Sequence, residues 1–141
     1  MSRIFFDTNL FIYLFEDHGP LGSRVSELLE RIAARKDQLV TSTFTLGELL
    51  VKPKEKGDSA LALRYEAAME SPDVRLVSFD TKAALRYAEI RQDRSIRNPD
   101  AIQLACAASV ECDLFITNDE NLTRKNVSGI QFIASLERVP I

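Results

Sequence analysis

Apolar positions along this chain fall into two kinds of run, short unbroken ones and longer ones spaced by three and four. Ile4-Phe5-Phe6 is unbroken and ends in Asp7, so it reads as a strand buried on both faces. Residues 10–15 are apolar enough for a short helix, which Gly19-Pro20 breaks. Leu21, Val25, Leu28, Leu29, Ile32 and Ala33 then recur at helical spacing, which predicts an amphipathic helix to about Lys36. Residues 39–42 form a second short strand. Ser42 or Thr43 caps a helix striped with Leu46, Leu49 and Leu50. Pro53 disfavours helical geometry in the residue before it, so this helix is expected to stop by Lys52, with a loop over 52–58. Leu61, Tyr65, Ala68 and Met69 mark another helix, which Pro72 ends.

The second half repeats the alternation. Residues 74–79 read as a strand, and Asp80 caps a helix running through Leu85, Ala88 and Ile90. Asn98-Pro99 suits the cap and first position of a further helix. Its body, 101–110, is rich in alanine and apolar all round, so it packs deeply. A strand over 114–116, a helical turn over 121–125 and a strand over 130–133 complete the pattern. Strands alternating with helices predict a parallel sheet with right-handed crossovers, a three-layer α/β/α sandwich. At 141 residues, with no linker or repeat, the chain reads as one domain over 1–141.

Composition narrows the chemistry. The net charge of −3 gives no bulk attraction to nucleic acid, so any phosphate-binding surface is local. Lys52, Lys54 and Lys56, then Arg91, Arg94 and Arg97, then Arg124 and Lys125 are the clusters available, each also explicable as a solvated face. Cys106 and Cys112 lack a CxxC spacing and His18 is remote, which speaks against zinc and for free thiols in a reducing cytosol. No apolar run is long enough to cross a membrane and no export signal is seen.

Four acids stand out. Asp7 follows the first strand, Glu48 lies within an apolar helix, Asp100 opens the alanine-rich helix and Asp119 follows the fourth strand. Each has an ordinary explanation: Asp7 and Asp119 as caps, Glu48 as a solvent-facing helical residue, Asp100 as a first-turn partner of the helix dipole. Jointly they can converge at one sheet edge, where open α/β sheets bind ligands. Four carboxylates together repel unless a cation neutralises them, and oxygen-only ligands suit Mg²⁺ or Mn²⁺. Such ions serve phosphoryl chemistry, so a metal-dependent phosphodiesterase or phosphatase follows as an expectation.

Phe6-Asp7-Thr8-Asn9, Leu46-Gly47-Glu48-Leu49-Leu50, the run from Asp100 to Ala105, and Thr117-Asn118-Asp119 together resemble PIN-domain ribonucleases, above all the VapC toxins of toxin–antitoxin modules. The resemblance implies a sheet of order 3-2-1-4-5. It also implies Mg²⁺- or Mn²⁺-dependent endoribonuclease activity, with an activated water cutting RNA to leave 5′-phosphate and 3′-hydroxyl ends. Asp7, Glu48, Asp100 and Asp119 would be the metal-binding and catalytic acids. Thr8 and Asn9 would support Asp7 or the metal's waters, and Thr117 and Asn118 would steady Asp119. Arg97 would contact a neighbouring phosphate as a bidentate donor. The resemblance further implies a cytoplasmic homodimer inhibited by a small antitoxin encoded alongside. The exposed end of residues 10–15 and the helix over 61–69 are candidate docking surfaces, or ordinary core packing.

Two other classes fit parts of the sequence. A phospho-accepting receiver domain has similar size and alternation, and Asp80 near the third strand suits it. It needs an acidic pair after the first strand and a lysine after the fifth, and neither is present. A PIN-like module that only binds a partner needs no acids, and here all four stand in place. A haloacid-dehalogenase-type phosphatase requires an acid where Asn9 stands.

Overall fold

The computed structural model describes residues 1–16 and 18–141. Strands β1 (Arg3–Phe6), β2 (Gln38–Ser42), β3 (Val74–Val77), β4 (Leu114–Thr117) and β5 (Phe132–Ser135) form one sheet in the order β3-β2-β1-β4-β5. Every pairing is parallel, with Ile4 level with both Leu39 and Leu114. Helices α1 (Thr8–Phe15), α2 (Pro20–Arg35), α3 (Thr43–Lys56) and α4 (Ser59–Glu70) precede β3. Helices α5 (Thr81–Ile90) and α6 (Asn98–Ser109) lie between β3 and β4. A short α7 (Glu120–Thr123) precedes β5, and a 3-10 turn (Leu136–Arg138) follows it. No helix among the described residues is long and apolar enough to cross a membrane.

Strand periodicity divides the core in two. Ile4, Phe6, Leu39, Leu114 and Ile116 pack with Leu10, Val25, Leu28, Ile32, Leu49, Tyr65 and Met69 from α1 to α4. Phe5, Val40 and Phe115 point the other way, onto Ala83, Ile90, Ala101, Leu104 and Ala105 of α5 and α6. Phe5 and Phe115 stack across the central strands with ring centroids 5.0 Å apart. Each fully buried phenylalanine contributes about 1.5–3 kcal/mol, so the middle of the sheet is the rigid base of whatever stands at its edge. Small residues let α6 sit close: Ala101, Ala105, Ala107 and Ala108 are wholly buried.

The sheet order matters for function. Receiver-type domains use 2-1-3-4-5, so the order found here removes the receiver reading. It also makes β1 and β4 neighbours, and Asp7 and Thr117 leave the sheet side by side.

Several local expectations are corrected. Helix α3 does not stop at Lys52, and residues 52–58 are not a loop. The helix carries Pro53 in its interior, runs to Lys56 and ends on Gly57 in the left-handed region at φ 66°. Pro53 is buried and α3 packs on α4, so tertiary packing overrides the local penalty for proline. Strand β3 ends at Val77 rather than Phe79, whose ring instead meets Tyr87 edge-on. Strand β5 begins at Phe132, because a turn at Gly129 first drops Ile130 into the core. Helix α5 turns Ala83 and Ile90 inward and leaves Leu85 exposed. The cap of α6 is Arg97, one residue earlier than expected, and the Asn98 side chain accepts a hydrogen bond from the Tyr87 hydroxyl.

Candidate active site

Asp7 continues the central ladder by one bond, its N–H donating to the Ile116 carbonyl at 3.0 Å. Its carboxylate is buried and held on both oxygens. Oδ1 accepts the Thr8 N–H at 2.8 Å, which caps α1, and Oδ2 accepts the Thr117 hydroxyl at 2.7 Å. The cap reading and the site reading therefore both hold for this residue. Burial pushes the Asp7 carboxyl up to about 6; the bonds from Thr117 and Thr8 oppose the rise, and the charges of Asp100 and Glu48 add to it.

Glu48 is half-buried and accepts the Thr8 hydroxyl at 2.6 Å. It does not face solvent from the far side of α3, as an ordinary amphipathic reading would have it. Asp100 is buried in the first turn of α6, and burial holds its carboxyl above the usual range. Arg97, whose Nε lies 3.3 Å from Asp100 Oδ2, opposes that rise, and the charge of Asp119 adds to it. Asp119 caps the short α7 through the Asn121 N–H at 2.9 Å. Its own N–H donates to Thr117 Oγ1 at 3.1 Å. Thr117 thus ties Asp7 to Asp119, as Thr8 ties Asp7 to Glu48.

The structure brings all four acids to the carboxyl edge of the central strands, where Asp7 feels the charges of Glu48 and Asp100, and Asp100 that of Asp119. Among the described residues Arg97 is the one cation in an ion pair with any of them. No three His, Cys, Asp or Glu side chains among the described residues stand close enough to form a ready-made metal site. The donor set still has the chemistry of a hard-cation site: oxygen ligands only, with more negative charge than one guanidinium balances.

The supporting residues separate. Thr8 and Thr117 do hold acids. Asn118 does not steady Asp119; its amide donates to the Tyr13 hydroxyl at 2.9 Å. Asn9 is exposed at the start of α1. Arg97 lies over Asp100 with most of its side chain in solvent. One residue that the sequence reading passed over belongs here. Gln103, one turn beyond Asp100, is 1% exposed and bonds to Ser42, Thr45 and Thr8. The signal was a long amide in a helix otherwise filled with alanine and leucine.

This edge of four acids on a 3-2-1-4-5 sheet defines a PIN domain. The PIN domain family matches residues 4–127, and the chain belongs to it. Solved structures of similar fold include proteins of toxin–antitoxin systems. VapBC2 from Rickettsia felis, bound to a DNA fragment from its promoter, superposes with a TM-score of 0.76 at 17% identity, over 94% of this chain and 98% of that one. DNA-bound VapBC from Salmonella typhimurium gives 0.70 at 21% identity, over 96% and 99%. VapC20 from Mycobacterium tuberculosis, a toxin that cleaves the sarcin–ricin loop, gives 0.68 at 18% identity, over 89% and 97%. No curated protein sequence matches the chain.

Proposed function

We propose that this protein is a Mg²⁺- or Mn²⁺-dependent endoribonuclease and the toxin half of a toxin–antitoxin pair. The observation that carries the reading is the meeting of four acids at one sheet edge: Asp7, Glu48 and Asp119 linked through Thr8 and Thr117, and Asp100 buried beside them with its charge felt by Asp7. These four acids would hold the cation. When bound, it supplies Lewis-acid chemistry, making a water more acidic and offsetting charge on phosphate oxygens.

The protein's own groups do the rest. Burial holds the Asp7 carboxyl above its usual range, a cost that a bound cation would relieve. Thr8 N–H and Thr117 Oγ1 hold its two oxygens, so the carboxylate is oriented before substrate arrives. Arg97 is exposed enough to leave Asp100 and meet a neighbouring phosphate of the RNA. An apolar cleft of about 570 Å³ lies between α1, α2 and α4, lined by Phe11, Leu14, Phe15, Leu29 and Ala68. It suits an apolar arm of an antitoxin, a reading supported by the toxin–antitoxin complexes that share the fold. A homodimer working in the cytoplasm completes the proposal, and the mass of the partner-free protein in solution tests its oligomeric part.

A PIN-like module that only binds a partner is the second reading, favoured by the lack of a ready-made metal cluster among the described residues. One experiment separates the two. Purified protein freed of any partner is incubated with a pool of structured RNAs in Mg²⁺, in Mn²⁺ and in chelator, beside Asp100→Asn. Cleavage that needs the cation and disappears in the variant is the expected result. Intact RNA throughout, with both proteins folded and neither binding Mn²⁺, removes the nuclease reading.

A further inference from the structure

The amide of Gln103 has no part in the chemistry just described, yet it is buried at the centre of the only route that joins α6 to Glu48 by hydrogen bonds among those named above. Its Nε2 donates to Thr45 Oγ1 at 2.7 Å and to Thr8 Oγ1 at 3.1 Å. Its Oε1 accepts the Ser42 hydroxyl. Ser42 Oγ in turn accepts the Thr45 N–H at 3.1 Å, as the cap of α3. No buried side-chain polar atom among the described residues lacks a partner, and Thr45 Oγ1 has a second one in the Thr41 hydroxyl at 2.9 Å.

The directions of these bonds follow from donor counting. A carboxylate only accepts, so Thr8 gives its single hydroxyl proton to Glu48 Oε1. Thr8 Oγ1 is then an acceptor toward Gln103, which places the amide N–H₂ on the Thr8 and Thr45 side. The carbonyl faces Ser42, whose own proton is free to donate because its oxygen already accepts the Thr45 N–H. The amide carries the right group at each end, and neither an acid nor an apolar residue could do both.

We propose that Gln103 is a positioning residue for the acid cluster. By donating to Thr8 Oγ1 it keeps that hydroxyl turned toward Glu48, and so fixes the Glu48 carboxylate at the edge where Asp7 stands. Because Gln103 lies one turn from Asp100 on α6, the same amide sets the spacing between the acid of that helix and the acid of α3. The function assigned to the acids rests on the ribonuclease reading above; the placement of Glu48 by Gln103 does not.

The test uses Gln103→Met, which keeps the volume and removes both donors, with Thr45→Val as a control that breaks another arm of the network and leaves the Thr8 arm. Crystal structures without added metal come first. In Gln103→Met, Glu48 is expected to leave Thr8 Oγ1, while in Thr45→Val it stays. Turnover should fall about 10- to 100-fold in Gln103→Met with KM within about twofold. Turnover in Thr45→Val should stay within about twofold of the parent, although both variants lose stability. In a Thr8→Val background, Gln103→Met should cost less than about twofold more, since the residue it acts through is gone. Should Gln103→Met not fold, NMR of the parent decides. Both Gln103 side-chain N–H protons should exchange over about 100-fold more slowly than a free amide and show contacts to Thr8 and Thr45. The proposal is overturned if Glu48 keeps its place in Gln103→Met, if the two losses in turnover multiply, or if the parent amide exchanges freely. A parent that cuts no RNA would sink the ribonuclease reading and leave the structural and NMR arms to judge Gln103.

Discussion

Replacing Asp7 by Asn should abolish cleavage and stabilise the protein. A carboxyl raised from 3.8 to about 6 by burial means that the folded state binds its proton more tightly than the unfolded state does. Its contribution to stability is present below pH 3.8 and is lost as the pH rises through 6. At pH 8 the buried charge therefore costs about 3 kcal/mol, from roughly two pKa units at 1.36 kcal/mol each. Asn carries no charge and can still accept the Thr8 N–H through its carbonyl. Even compared with a neutral carboxyl, Asn puts an N–H₂ where Thr117 finds an acceptor, and losing that neutral bond takes back about 1 kcal/mol at every pH. The net gain is about 2 kcal/mol at pH 8, fading to about zero near pH 4.5. Urea unfolding of parent and variant in chelator at pH 4.5, 6 and 8 measures it, with the midpoint at pH 8 expected to rise by about 1 M. An equal difference at every pH, or a variant weaker at pH 8, would refute the assignment of strain to the Asp7 charge. Added Mn²⁺ should then stabilise the parent and not the variant.

Gly129 has φ 95°, and a Cβ there would stand 2.9 Å from the Ala108 carbonyl oxygen at the end of α6. Gly129→Ala should lower stability by about 1–3 kcal/mol, read as a fall in thermal midpoint with the cleavage products unchanged. Cys106 and Cys112 are buried, and burial pushes their thiols up to about 11 and about 12. Neither should react with a disulfide reagent at pH 8 until denaturant is added, when two equivalents should appear. Tyr65 is wholly buried and its hydroxyl donates to Glu16 at 2.5 Å. Tyr65→Phe should cost about 1–2 kcal/mol in urea unfolding.

The centre of the sheet was legible because β1 and β4 carry unbroken apolar runs, and an apolar run that ends in Asp7 or Thr117 marks its own end. What misled was local chemistry read without its neighbours. Pro53 ends a helix in isolation, but in α3 the buried ring is part of the packing on α4. Phe79 looks like the end of a strand, yet its ring has a partner in Tyr87 outside the sheet. The acids were legible as types. Their supports were legible in part: Thr8 and Thr117 stand where the resemblance puts them, but Thr117 and Asn118 are adjacent in sequence and only the fold shows that one turns in to Asp7 and the other out to Tyr13. Gln103 sat in plain view inside a motif whose acid drew the attention.

The bond from Thr117 to Asp7 spans 110 positions in the chain. During synthesis Asp7 is made early, and the strand that completes its surroundings emerges only after α6. At about 5–20 residues per second, a ribosome needs roughly 5 to 20 seconds to travel from one to the other. Through that interval β1 has no partner on its β4 side, and Asp7 lacks Thr117. The nascent chain cannot assemble its acids ahead of time, so a message that is cut short or a ribosome that stalls before Thr117 yields a fragment without the complete acid cluster. The topology acts as a timer that withholds the acidic edge until translation has passed β4.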